Sequence, residues 1–182
     1  QKLSERAWAL YCPFFIGMLD AAGPEVVLID GNELAYYYGT PYDFYYHYHE
    51  LYRSSLILIP KELRSKYLNQ TRAGNAVYYD LLMTDGYGQT RESPVHVPSH
   101  YMTPGERLQF LEQNVYYGLA TADEYLWFYS ESVNWWRDLV PAAAAYGPMQ
   151  GIPADAVKAI NSARTKCDQG QPLGFDFSEI IK

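Results

Sequence analysis

Two glutamates sit where a parallel sheet keeps its chemistry. Glu33 follows the run Val26–Asp30 after Gly31 and Asn32, and Glu131 follows Tyr125–Tyr129 after Ser130. Each run is short, continuously apolar and rich in β-branched or aromatic residues, the pattern of a strand covered on both faces. In barrels and open α/β sheets the carboxyl ends of the strands carry the site. Neighbouring strands lie ~4.8 Å apart, so two acids at their tips fall within the ~5–9 Å that separates the carboxylate pair of glycoside hydrolysis. One acid protonates the leaving oxygen and the other attacks the sugar or activates water. Which of the two would donate depends on the environment that raises one of them. The plainer alternative is that each glutamate caps the segment after it.

Aromatic residues crowd both acids. Tyr36, Tyr37 and Tyr38 follow Glu33; Trp127 and Tyr129 precede Glu131, and Trp135 and Trp136 come after it. Sugar rings stack their C–H faces on aromatic planes, and their hydroxyls suit Tyr O–H and Trp N–H groups. Tyr36, Trp127, Tyr129, Trp135 and Trp136 are therefore the candidate carbohydrate contacts. The same rings also serve as ordinary core, above all Tyr42, Phe44, Tyr45, Tyr46, Tyr48 and Tyr52, whose spacing allows a packed helix face.

Of the four histidines, His96 and His100 are four apart, but Pro98 between them excludes a helical metal pair. Without HExxH or CxxC there is no zinc signature. No phosphate-binding glycine loop and no nucleophile elbow occurs. No metal and no cofactor is expected. Residues 84–103 form a Gly/Pro/Ser/His-rich stretch too long for a plain connection, expected to fold over the strand tips with His100 in a subsite wall.

The elements that must hold these residues follow from periodicity and punctuation. Leu3, Ala7, Leu10, Phe14 and Met18 recur at helical steps, with Pro13 as a kink, and Gly23-Pro24 ends the segment. Asp43–Ile59 reads as a second helix, broken at Pro60. Lys61–Tyr79 reads as its continuation. Thr103, Pro104 and Glu106 make a capping signal for a helix through about Ala120. Pro153–Lys166 reads as the last helix. The expectation is an α/β chain, rich in helix with few parallel strands, in which Val26–Asp30 and Tyr125–Tyr129 are adjacent. Two strands cannot make a sheet, so residues 1–182 read as a single domain, the C-terminal portion of a (β/α)8 TIM-like barrel that normally takes ~250 residues.

Composition narrows the partners. With 14 Lys+Arg against 21 Asp+Glu and a formal charge of −7, the chain lacks the clustered cations that nucleic acid requires. No run of 18 or more apolar residues spans a membrane, and the N-terminal segment, with Lys2, Glu5 and Arg6 ahead of an amphipathic pattern, is not a signal peptide. The absent initiating Met fits a mature terminus or a fragment equally. The outlier is 19 tyrosines. Cys12 and Cys167 are too few and too far apart to define a redox compartment.

Val27–Tyr38, then Thr40–Phe44, and later Glu124–Glu131 with Asn134, Trp135 and Trp136, together resemble the C-terminal part of bacterial proteins similar to TIM-barrel glycoside hydrolases. The resemblance spans about residues 8–166. It implies a barrel whose first strands lie outside this chain, carbohydrate as the ligand, export from the cell, and another polypeptide or chain segment completing the barrel. An alternative of a different class is a non-catalytic carbohydrate-binding or protein-interaction module with an aromatic surface.

Overall fold

Three parallel strands stand side by side in the order in which the chain makes them. The structure is a computed structural model that describes residues 10–83, 99, 102–131, 133–137 and 151–177. Its elements are α1 (Tyr11–Ala21), β1 (Leu28–Asp30), α2 (Pro41–Tyr52), α3 (Arg64–Gln70), β2 (Thr71–Tyr78), α4 (Tyr79–Met83), α5 (Pro104–Ala120), β3 (Tyr125–Tyr129) and α6 (Ala154–Asp168). Short 3-10 turns cover Glu33–Tyr37, Ser54–Ile57 and Lys61–Leu63.

The expected helix over Lys61–Tyr79 is corrected at its second half: Thr71–Tyr78 is the central strand. Its Arg, Ala, Gly and Asn residues carry no local strand signal. Pairing on both sides makes it a strand, Leu28–Asp30 opposite Thr71–Ala73 and Tyr125–Tyr129 opposite Gly74–Tyr78. Of the expected strand Val26–Asp30 only Leu28–Asp30 forms, and it and Tyr125–Tyr129 are parallel members of one sheet but not neighbours. β2 separates them by two strand spacings of ~4.8 Å each. Gly74 marks the crowding, since a Cβ there would stand 2.7 Å from the Asp30 carbonyl oxygen.

The register sorts side chains onto two faces. Leu28, Asp30, Asn75, Val77, Leu126 and Phe128 share one face. Helices cover it. Leu28 packs with Leu19 of α1 and Tyr67 of α3, while Val77, Leu126 and Phe128 join Phe110, Leu111 and Val115 of α5 and Ala156, Ala159 and Ala163 of α6. The other face carries Ile29, Gly74, Ala76, Tyr78, Tyr125, Trp127 and Tyr129. There Ile29 is 45%, Tyr125 53% and Tyr129 36% exposed.

α5 starts where its local signal says. Thr103 accepts from the Glu106 N–H, and Glu106 accepts back from the Thr103 N–H at 2.7 Å. Pro13 lies in the first turn of α1, where a proline costs no helical bond, so it does not kink the helix. Cys12 and Cys167 are both free thiols. Among the described residues no helix is long and apolar enough to cross a membrane.

Candidate functional site

β1 ends in Asp30, and the chain then turns through Gly31 and Asn32. Asn32 takes a left-handed conformation (φ 37°), which Asn tolerates better than most residues. Its side chain explains why it stays there. Asn32 Nδ2 donates to Asn75 Oδ1 at 2.7 Å, and Asn75 Nδ2 donates to the Gly118 carbonyl at 2.9 Å and to Thr121 Oγ1 at 3.1 Å. This buried network ties the β1 tip to the middle of β2 and the end of α5. The Glu33–Tyr37 turn that follows lays Tyr36 across the open face of the sheet.

There Tyr36 becomes the centre of an aromatic platform. Its ring stacks on Tyr129 at 5.9 Å and 21°, meets Trp127 edge-on at 5.9 Å and touches Tyr78 at 5.2 Å. Trp127 is oriented by its Nε1–H, which donates to the Gly31 carbonyl at 2.7 Å. Burial pushes the Tyr36 phenol up to about 12, helped by the nearby charge of Glu33 and by the Tyr129 phenol. At the other end Tyr129 donates its O–H to Glu131 Oε1 at 2.8 Å. Glu131 is thus bonded to the platform, and Glu33 lies near enough to Tyr36 for its charge to act on that phenol. Both glutamates are exposed.

The loop that carries Glu131 is fixed from beneath. Asp80, fully buried just past the end of β2, accepts from the Glu131 N–H at 2.6 Å and from Ser130 Oγ at 2.9 Å. Ser130 Oγ in turn accepts from the Val133 N–H at 2.9 Å. All three strands therefore deliver a carboxylate near their carboxyl ends, Asp30, Asp80 and Glu131.

Not every expected contact joins the platform. Trp135 packs on Phe128 at 6.0 Å and on Tyr79 at 5.7 Å, toward the helix-covered side. Trp136 is 95% exposed. His100 lies outside the described residues, as do 84–98 and 101 of the long loop, and so does its expected role as a lid. Tyr48 and Tyr52 of α2 both donate to the Asp123 carboxylate, which also accepts from the Ala73 N–H at 2.7 Å. Those two helix tyrosines anchor the sheet. Among the described residues no three His, Cys, Asp or Glu side chains converge to hold a metal ion.

Sequence reasoning missed Asp30, Asp80 and the Asn32–Asn75 bond. Asp30 is the last residue of its strand, and its position before Gly31 was a usable signal. Asp80 was hidden once β2 read as helix. Asp30 faces His47 of α2, Oδ2 to Nε2 3.2 Å. Burial pushes the Asp30 carboxyl upward, but the His47 side chain and the Asn32 N–H outweigh it and hold it below the usual range.

Fold and site together define a helix-rich α/β protein with a three-stranded parallel sheet and an acid at the end of each strand. Comparison with protein families, with curated proteins and with solved structures finds no match.

Proposed function

We propose that the chain is the C-terminal portion of a (β/α) barrel that acts on carbohydrate, with Glu33 and Glu131 as its paired carboxylates. The observation that carries this reading is the aromatic platform with one exposed glutamate bonded to Tyr129 and another whose charge acts on Tyr36. The barrel reading draws support from the sheet. Its strands run in sequence order and the helices that join them pack on one face, whereas a doubly wound sheet covers both faces. In a barrel the face that no joining helix covers, with Gly74 and Ala76 under the Tyr36 platform, turns inward. Further strands, from more of the same chain or another polypeptide, would pair with the outer edges of β1 and β3. Export, where polysaccharides are met, belongs to the same proposal.

In this reading a sugar ring laid on Tyr36 or Trp127 has its glycosidic oxygen between the two acids, whose strands stand two spacings of ~4.8 Å apart rather than one. One carboxyl then protonates that oxygen as the C–O bond breaks. The other attacks the anomeric carbon, or takes a proton from the water that does. Tyr129 holds Glu131 in place, and Asp80 fixes the backbone beneath it.

The test is release of reducing ends from a panel of α- and β-linked oligosaccharides. Glu33→Gln and Glu131→Gln should each lower kcat by ~10²–10⁴-fold and leave binding within a few-fold, while Tyr36→Ala should weaken binding by ~3–10-fold. Binding without turnover in the parent chain would favour the non-catalytic module, which the same platform fits. Neither binding nor turnover would sink both readings.

A further inference from the structure

A second concavity lies on the helix-covered side of β1, away from the platform. It consists of two adjoining clefts of about 350 and 320 Å³ that share Asp30, Leu51, Ser55 and Leu58. The deeper one is walled mainly by apolar and aromatic side chains, among them Phe15, Met18, Leu28 and Tyr67. The shallower one opens past His47 and Glu50. The deeper volume is at the lower end of the ~300–1,000 Å³ typical of small-molecule sites.

Two polar groups at its base can accept from a ligand, the Thr71 hydroxyl and the Asp30 carboxylate. Thr71, only 2% exposed, lines the deeper cleft, and its Oγ1 has no hydrogen-bond partner among the described residues. His47 Nε2 stands 3.2 Å from Asp30 Oδ2 and faces it as a donor. Asp30 pairs across the ladder with Ala73 and Leu28 with Thr71, so Asp30 and Thr71 are diagonal neighbours on one face. Diagonal side chains stand ~7–8 Å apart, which leaves room for one donor between two oxygens. Among the described residues no Lys or Arg lines either cleft, and the carboxylates there, Asp30 and Glu50, are negative. Burying polar groups unpaired is costly, and a ligand with several N–H donors removes that cost here.

We propose that this cleft binds a small primary amine with an apolar or aromatic body, its ammonium between Asp30 and Thr71 and its body against Phe15, Leu28 and Tyr67. An ammonium offers three donors and no acceptor, which suits a carboxylate and a hydroxyl that can both accept from it. The proposal uses none of the platform rings and neither Glu33 nor Glu131, so it stands independently of the carbohydrate reading.

The experiment titrates the whole chain with 2-phenylethylamine, 2-phenylethanol and 3-phenylpropionate, three ligands of one shape and different charge, followed by NMR shifts of the Asp30, Ser55 and Thr71 amides. The amine should bind at least ~10-fold more tightly than the alcohol, and the anion more weakly than either. Asp30→Asn should cost the amine ~10-fold or more while changing the alcohol by less than ~3-fold. Thr71→Val removes a hydroxyl that bonds to nothing among the described residues, so it should weaken amine binding without lowering the melting temperature. This variant keeps the test decisive if Asp30→Asn does not fold. Equal binding of the three ligands, no binding of the amine, or undiminished amine affinity in a folded variant would overturn the proposal.

Discussion

Replacing Gly74 by alanine tests the central strand directly. A Cβ at this position would stand 2.7 Å from the Asp30 carbonyl oxygen, 3.1 Å from Ile29 Cγ2 and 3.3 Å from the Tyr125 carbonyl oxygen. Ordinary C···O contacts lie at ~3.3–3.6 Å, so the nearest neighbour must retreat by ~0.6 Å or more. That neighbour is backbone of β1 and the third is backbone of β3, so the methyl group presses on both ladders at once. Overpacking of this kind costs ~1–3 kcal/mol, and the rigid backbone on both sides places Gly74→Ala at the upper end. The reduced freedom of the unfolded chain returns ~0.4–1 kcal/mol. The net expectation is a loss of ~2 kcal/mol. For a chain of 182 residues that lowers Tm by ~4–8 °C. Gly17→Ala is the control, because a Cβ in the middle of α1 meets nothing within 4 Å; it should stabilise by ~0.5–1 kcal/mol. Gly118→Ala falls between them, since its close contact, 2.7 Å, is with Leu126 Cδ1 at the end of a side chain that can turn away. Scanning calorimetry of the three variants measures all of this. If Gly74→Ala melts within ~1 °C of the parent while Gly17→Ala rises, residues 71–78 are not the middle strand and the register argued above is wrong.

Asn75→Ala removes three buried hydrogen bonds and should cost ~3 kcal/mol at ~1 kcal/mol each. Urea unfolding reads the loss, with faster amide exchange at Asn32, and a loss below ~1 kcal/mol would contradict the network's role. Thr103→Ala breaks the α5 capping box and should cost ~1 kcal/mol in the same assay. Asp30 is held below the usual carboxyl range, so its contribution is complete above ~pH 4 and is lost as pH falls through the lowered native value. Asp30→Asn should flatten that acid limb; an unchanged limb refutes the contribution. Tyr36 runs the other way. Its native value of about 12 lies above the unfolded ~10, so its contribution is present below ~pH 10 and disappears as pH rises toward the native value. Tyr36→Phe should remove that part of the alkaline fall, and ultraviolet titration of phenolate checks the shift itself.

What local chemistry specifies was readable without coordinates. α5 begins at the capping signal of Thr103, Pro104 and Glu106 because those groups satisfy one another within a single turn. β3 matches its apolar run, and β1 matches the end of its own, although neither is covered on both faces as that pattern implied: Ile29, Tyr125 and Tyr129 are exposed. The residue types at two strand ends and the rings beside them were equally plain. Tertiary structure alone decided the rest. Thr71–Tyr78 contains little that prefers a strand, and it becomes one because Leu28–Asp30 and Tyr125–Tyr129 offer it two ladders from more than 40 positions away on either side. Asp80 reached a strand end only through that pairing. Long-range geometry also sent Tyr48 and Tyr52 to Asp123, turned Trp135 toward the core, and stacked Tyr36 on Tyr129. A sequence displays the bonds a segment makes with itself. It does not display which distant backbone will stand beside it, and here that backbone decides which acids and rings share a face.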